Sequence, residues 1–125
     1  MKLTENFSLA EFKCKSGAVT PNEIVLKLTE LAEQLQILRD HTQKPIRINS
    51  GYRSPEHNAS IGGVRNSQHT QGTAADIVVI GQSPQETREV IEKLIASGTM
   101  REGGIGSYDS FTHYDIRGYK ARWEG

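Results

Sequence analysis

Apolar positions along the chain follow two spacings. Ile24, Leu28, Leu31, Leu35 and Leu38 recur every three or four residues, the period of one helix face, and predict a long core-facing helix running to about His41. Val90, Ile91, Leu94 and Ile95 repeat the pattern on a shorter stretch. Elsewhere the apolar residues are β-branched and contiguous. Ile46–Ile48 follows Pro45, and Ala75–Ile80 contains Ile-Val-Val-Ile, the mark of a buried central strand. Ile105–Tyr108 and Phe111–Ile116 read as an antiparallel pair.

Polar residues mark where the helices start. Ser8-Leu9-Ala10-Glu11, Thr20-Pro21-Asn22-Glu23 and Ser83-Pro84-Gln85-Glu86 all carry the capping-box spacing. The first predicts a short helix ending near Cys14. The second places Pro21 at the first helical position, where its missing N–H costs nothing. The third helix closes at Gly98. Between the first two strands lies a long polar stretch, Ser50 to Thr73, with four glycines; a loop of that length in a compact domain points to function. The pattern predicts one α+β domain over residues 1–125, a small, mainly antiparallel sheet with helices packed on it.

Charge and cysteine content narrow the function classes. Fifteen Lys and Arg balance fifteen Asp and Glu, so no bulk basic field exists to bind nucleic acid by counterion release. No apolar run approaches the roughly 20 residues of a membrane span. Met1 to Phe12 lacks the basic-then-apolar layout of a secretory signal. The expectation is a soluble, monomeric product of the cytoplasm that reaches any external target by release or export. Cys14 is the single cysteine, which excludes an internal disulfide and a thiolate metal cluster and suggests a small buried side chain.

The remaining chemistry lies with histidine and carboxylate. His41 sits at a helix end and His57 in a turn-like stretch, both better suited to surface roles. His69 stands seven residues before Asp76, with Gly72 between them to let the chain turn back. In the last strand, alternation places Phe111, His113 and Asp115 on one face and Thr112 and Tyr114 on the other. If the two strands are neighbours, His69, Asp76 and His113 form a set of two imidazoles and one carboxylate. Such a set holds zinc and leaves a fourth position open.

These residues carry a family resemblance. Ser67-x-His69-x-x-Gly72-x-Ala74-x-Asp76 followed by His113-x-Asp115 resembles the zinc D-alanyl-D-alanine carboxypeptidases and their endopeptidase relatives. They belong to the LAS-type peptidoglycan metallopeptidases, whose fold is shared by the hedgehog signalling domain. Ser50-Gly51-Tyr52-Arg53-Ser54-Pro55-x-x-Asn58 and Gly103-Gly104-Ile105-Gly106-x-Tyr108-x-x-Phe111-x-His113 match as well, as does Phe7-Ser8-Leu9-x-Glu11-Phe12. Small stand-alone members are often phage or prophage wall-degrading enzymes. The resemblance implies Zn2+ on His69, Asp76 and His113, with Arg53 steadying a substrate carboxylate or carbonyl through its planar fork. Ser67 would be a hydrogen-bond donor near the substrate, or a residue that shapes the loop.

The proton acceptor departs from the family pattern. Three positions before His113, where an acid is usual, stands Ser110. Asp109 and Asp115 are the alternatives. Asp115 lies roughly 7 Å along the strand from His113 and is the preferred base, with orientation of His113 as its other role. The expected activity is hydrolysis of peptidoglycan peptide bonds near D-alanine, as carboxypeptidase or endopeptidase. The rival is a non-catalytic, zinc-stabilised module that binds wall peptides without cutting them, or a phage structural module.

Overall fold

The computed structural model describes all 125 residues. Three helices, α1 (Asn22–Thr42), α2 (Pro55–Ser60) and α3 (Pro84–Ala96), accompany five strands. These are β1 (Ile46–Ser50), β2 (Ala74–Val79), β3 (Gly104–Ser107), β4 (Thr112–Asp115) and β5 (Ala121–Glu124). The sheet order is β1-β2-β4-β3-β5. Every pairing is antiparallel except β3 with β5. This is the α+β architecture anticipated from the hydrophobic pattern.

The predicted helix stripes are the core. Leu28, Leu31, Leu35 and Leu38 of α1 are fully buried, and Ile24 is half-buried at the edge of the same cluster. Ile91 and Leu94 of α3 join Ile48, Ile77, Val79, Ile105 and Tyr114 from the strands. One sheet face is thus covered by helices, while the opposite face is free to carry polar groups.

The three helix starts behave differently. At α3 the capping box is complete: Glu86 N–H donates to Ser83 Oγ at 3.1 Å, and Ser83 N–H donates to Glu86 Oε1 at 2.8 Å. Gly98 takes the left-handed conformation just past the helix end (φ 76°). Ser8 and Glu11 also meet, but they open only one 3-10 turn, Leu9–Phe12, which buries Phe12. At α1 the box does not form. Pro21 is extended (φ −60°, ψ 152°) and acts as the N-cap, so the helix begins one residue late. Thr20 Oγ1 is left buried without a hydrogen-bond partner.

Two further differences concern the 50–73 stretch and the C-terminus. The stretch is ordered rather than irregular. Ser54 Oγ caps α2 by accepting from His57 N–H at 3.2 Å, and a 3-10 turn spans Gln68–Gln71. His57 therefore lies in a helix, half-buried, and not in a turn. Strand β5 has no counterpart among the predicted elements; its parallel pairing with β3 leaves no local period to read. No helix is long and apolar enough to cross a membrane.

Candidate metal centre

The free face of the sheet carries one transverse row of paired residues. Ser50 pairs with Asp76, Asp76 with His113, His113 with Gly106, and Gly106 with Trp123, so that all five strands contribute one position. A register irregularity between Ile48 and Ser50 in β1 brings Ser50 into that row. His69 enters from above. Ser67 Oγ accepts from His69 N–H at 3.1 Å and Gly72 turns back at φ 74°, so the 3-10 turn aims the imidazole at Asp76. A side chain at Gly72 would also collide with Ile24 of α1, which closes the turn from below.

The three residues expected to bind metal converge. Donor atoms of His69, Asp76 and His113 all lie within 4.8 Å of one another, and all three residues are buried. Asp76 Oδ1 is 3.3 Å from His69 Nε2 and 3.1 Å from His113 Nδ1. The outward nitrogens are both anchored. His69 Nδ1 is 2.8 Å from the Gly51 carbonyl, and His113 Nε2 is 2.7 Å from Asp115 Oδ2. An N–H at each anchored position leaves a lone pair on the inner nitrogen, the tautomer a metal ligand needs. Two imidazoles and a carboxylate with their outer partners in place fit a divalent cation such as zinc.

The charge balance of the cluster follows from burial and these contacts. Burial alone would raise the Asp76 carboxyl, but in the metal-free site its close contacts with the His113 and His69 rings outweigh burial and hold the group well below the carboxylate range. Burial would lower the His113 imidazolium pKa, yet the Asp115 and Asp76 carboxylates raise it overall.

Arg53 and Ser67, the expected substrate contacts, both line the cleft beside the cluster. Arg53 Nε donates to Ser50 Oγ at 3.3 Å, Nη1 to Asn58 Oδ1 at 3.3 Å, and Nη2 lies 3.5 Å from Asp76 Oδ2. It therefore balances the Asp76 oxygen that faces away from the imidazoles. Ser67, through its bond to His69, has a definite loop-shaping role.

Asp115 stands behind His113 rather than beside the cleft. It is fully buried, and its oxygens accept from Arg117 Nε (2.8 Å), Arg117 Nη2 (2.8 Å) and Gly104 N–H (2.9 Å) as well as facing His113. Burial alone would raise its pKa, but the His113 and Arg117 bonds hold the carboxyl well below its usual range. That geometry suits an orienting carboxylate and not a group free to take a proton. Asp109, the other candidate base, is exposed at the β3–β4 turn. It faces a separate polar groove of about 770 Å³ between α3 and the chain end. Asp76 is the one carboxylate on the walls of the metal cleft. His41 is exposed on α1. Cys14 is buried and accepts from the Ser54 N–H at 3.4 Å, tying the N-terminal segment to the start of α2.

The opposite wall of the cleft was not foreseen. Trp123 lies across Gly106 and against the His113 ring, centroid to centroid 4.9 Å. A Cβ on Gly106 would strike the indole, and one on Gly104 would strike the Asp115 carboxylate. The glycines of Gly104-Ile105-Gly106 thus clear the sheet surface for the two groups that flank His113. Only strand pairing reveals this, although the alternation of glycine with Ile105 was visible.

An open cleft of about 610 Å³ with three converging ligands on its floor is the arrangement of a catalytic metal site. Comparison with known proteins agrees. The peptidase M15 family model matches residues 4–115, and the chain belongs to that family, the metallopeptidase group its motifs resemble. It is 35% identical over 81 residues to the peptidoglycan L,D-endopeptidase MepK of Escherichia coli (strain K12), covering 59% of this chain and 41% of that protein. MepK of Shigella flexneri matches to the same degree. The chain spans about two fifths of the length of these curated relatives.

Proposed function

We propose that this chain is a zinc-dependent peptidase that cleaves peptide bonds in the stem peptides of bacterial peptidoglycan. The observation that carries the reading is the convergence of His69, Asp76 and His113 in an open cleft, the imidazoles with their outer hydrogen bonds made and Asp76 paired with Arg53. The relatives' activity supplies the substrate class. Zinc, when bound, supplies Lewis acidity toward a scissile carbonyl. His69 and His113 present lone pairs fixed by Gly51 and Asp115. Arg53 pairs with the Asp76 oxygen that faces away from the imidazoles. Asp115 acts as a positioning carboxylate for His113.

An internal bond is the preferred target over a terminal D-alanine. A carboxypeptidase must hold a free carboxylate, and both cations of the cleft, Arg53 and Arg117, are already paired, with Asp76 and Asp115 respectively. Zinc-loaded protein incubated with purified muropeptides is expected to give internally cleaved stems by mass spectrometry. Chelated protein and Asp76→Ala give none. Loss of a terminal D-alanine alone would restore the carboxypeptidase reading. A second reading rests on Asp76 being the only carboxylate of the cleft walls: a metal-stabilised module that grips wall peptides. Binding to sacculi without any cleaved product would establish it.

A further inference from the structure

Beyond the metal ligands, the cleft holds a hydrogen-bond donor whose direction is set by the protein. Trp123 Nε1 lies 2.9 Å from the Tyr108 hydroxyl. An indole N–H can only donate, so the phenol oxygen must accept, and the phenol's own proton is left without a protein partner. Both residues line the cleft. The Tyr108 ring is stacked on Phe111 at 4.4 Å with an interplanar angle of 11°, and the Gly125 backbone closes in on its edge. Ring and oxygen are therefore both held, and the Trp123 indole that holds them rests on His113.

We infer that Tyr108 is a substrate-binding residue, its hydroxyl donating to a peptide carbonyl of the bound substrate on the β5 side of the metal centre. The inference rests on the peptidase reading for its substrate and on the Trp123–Tyr108 geometry for its chemistry. Three features favour a neutral amide carbonyl as the acceptor. The donor is uncharged, it is fixed before substrate arrives, and it sits on an aromatic wall built with Phe111 and Trp123. Trp123 serves as the positioning residue, since its N–H decides where the phenol proton points. The turn that joins β3 to β4 supports this role, because Tyr108 N–H donates to the Phe111 carbonyl at 3.3 Å and brings the two rings face to face.

The test compares the zinc-loaded parent with Tyr108→Phe and Trp123→Phe on one muropeptide, measuring kcat and KM separately, with metal content and melting temperature as checks on folding. Tyr108→Phe should lower kcat/KM by about fivefold to tenfold, the size of one hydrogen bond, with the change carried by KM. Trp123→Phe should move KM the same way by a smaller factor, and it stands in if Tyr108→Phe does not fold. An unaltered kcat/KM, or a loss carried by kcat at constant KM, overturns the assignment. Should the parent show no turnover, the peptidase reading fails separately. The Kd for a synthetic L-Ala–D-Glu–Lys–D-Ala stem peptide, measured by calorimetry, then decides the matter. A fivefold weaker Kd in Tyr108→Phe supports the inference, and equal affinity or no binding by the parent overturns it.

Discussion

Asp115 is placed to act on the candidate metal centre from behind His113, away from the cleft. Its Oδ2 lies 2.7 Å from His113 Nε2, so a proton held on Nε2 would leave Nδ1 with the lone pair that a metal ligand needs. An amide in its place offers an NH2 toward Nε2 and favours the opposite tautomer, with the proton on the metal-facing nitrogen. Asp115→Asn is therefore expected to weaken zinc binding by about 10-fold to 100-fold, measured by competition with a chromogenic chelator. Full zinc affinity with a large loss of kcat would instead identify Asp115 as a proton acceptor. The motif residues were legible in the sequence because each ligand has a recognisable spacing. What could not be read was which side of His113 Asp115 occupies. Strand alternation puts the two on one face but says nothing of Arg117 and Gly104, which enclose the carboxylate from behind.

Among the elements, the sequence was most informative where capping and periodicity coincide. Helix α3 has both its reciprocal cap and its apolar stripe where expected. Helix α1 has the stripe but not the cap, because extended Pro21 moves the start to Asn22 and strands the Thr20 hydroxyl. A buried hydroxyl without a partner costs about 1–3 kcal/mol. Thr20→Val, which keeps the shape, is expected to stabilise the protein by about 1 kcal/mol, read as a higher urea midpoint at constant m-value. Helix α2 was missed although Ser54-Pro55-Glu56 carries the same serine-proline start as α3. Its six residues are too few to show a period. Strand β5 was missed for a different reason. Its four residues, Ala121–Glu124, are half-buried or exposed, and it is specified by a parallel partner some seventeen residues earlier in the chain (Ala121 against Gly104).

For the molecule entire, the titrating groups at the metal centre set opposing pH dependences. Asp76 and Asp115 are held below the ordinary carboxylate range. The stability they contribute is present above about pH 4 and is lost as the pH falls further. His113 is shifted up, so its contribution is complete below about pH 6.5 and is lost as the pH rises through the raised value. Chelator-treated protein should thus melt highest in mildly acidic buffer, between about pH 4 and 6.5. Zinc competes with the imidazole protons, so the melting-temperature gain on zinc addition should widen from about pH 5.5 to about pH 7.5. A zinc effect that shrinks over that range would contradict the ligand assignment.

The transverse row through Ser50, Asp76, His113, Gly106 and Trp123 ties the metal centre to strand pairing itself. Sliding β4 by one residue against β2 would set Tyr114 or Thr112 opposite Asp76 and turn His113 into the helix-covered face. The cation then finds one imidazole and one carboxylate, and its binding energy is withheld. Only the correctly aligned sheet collects all three candidate ligands, so a divalent cation bound there during folding would act as a proofreader that favours native pairing over one-residue slips.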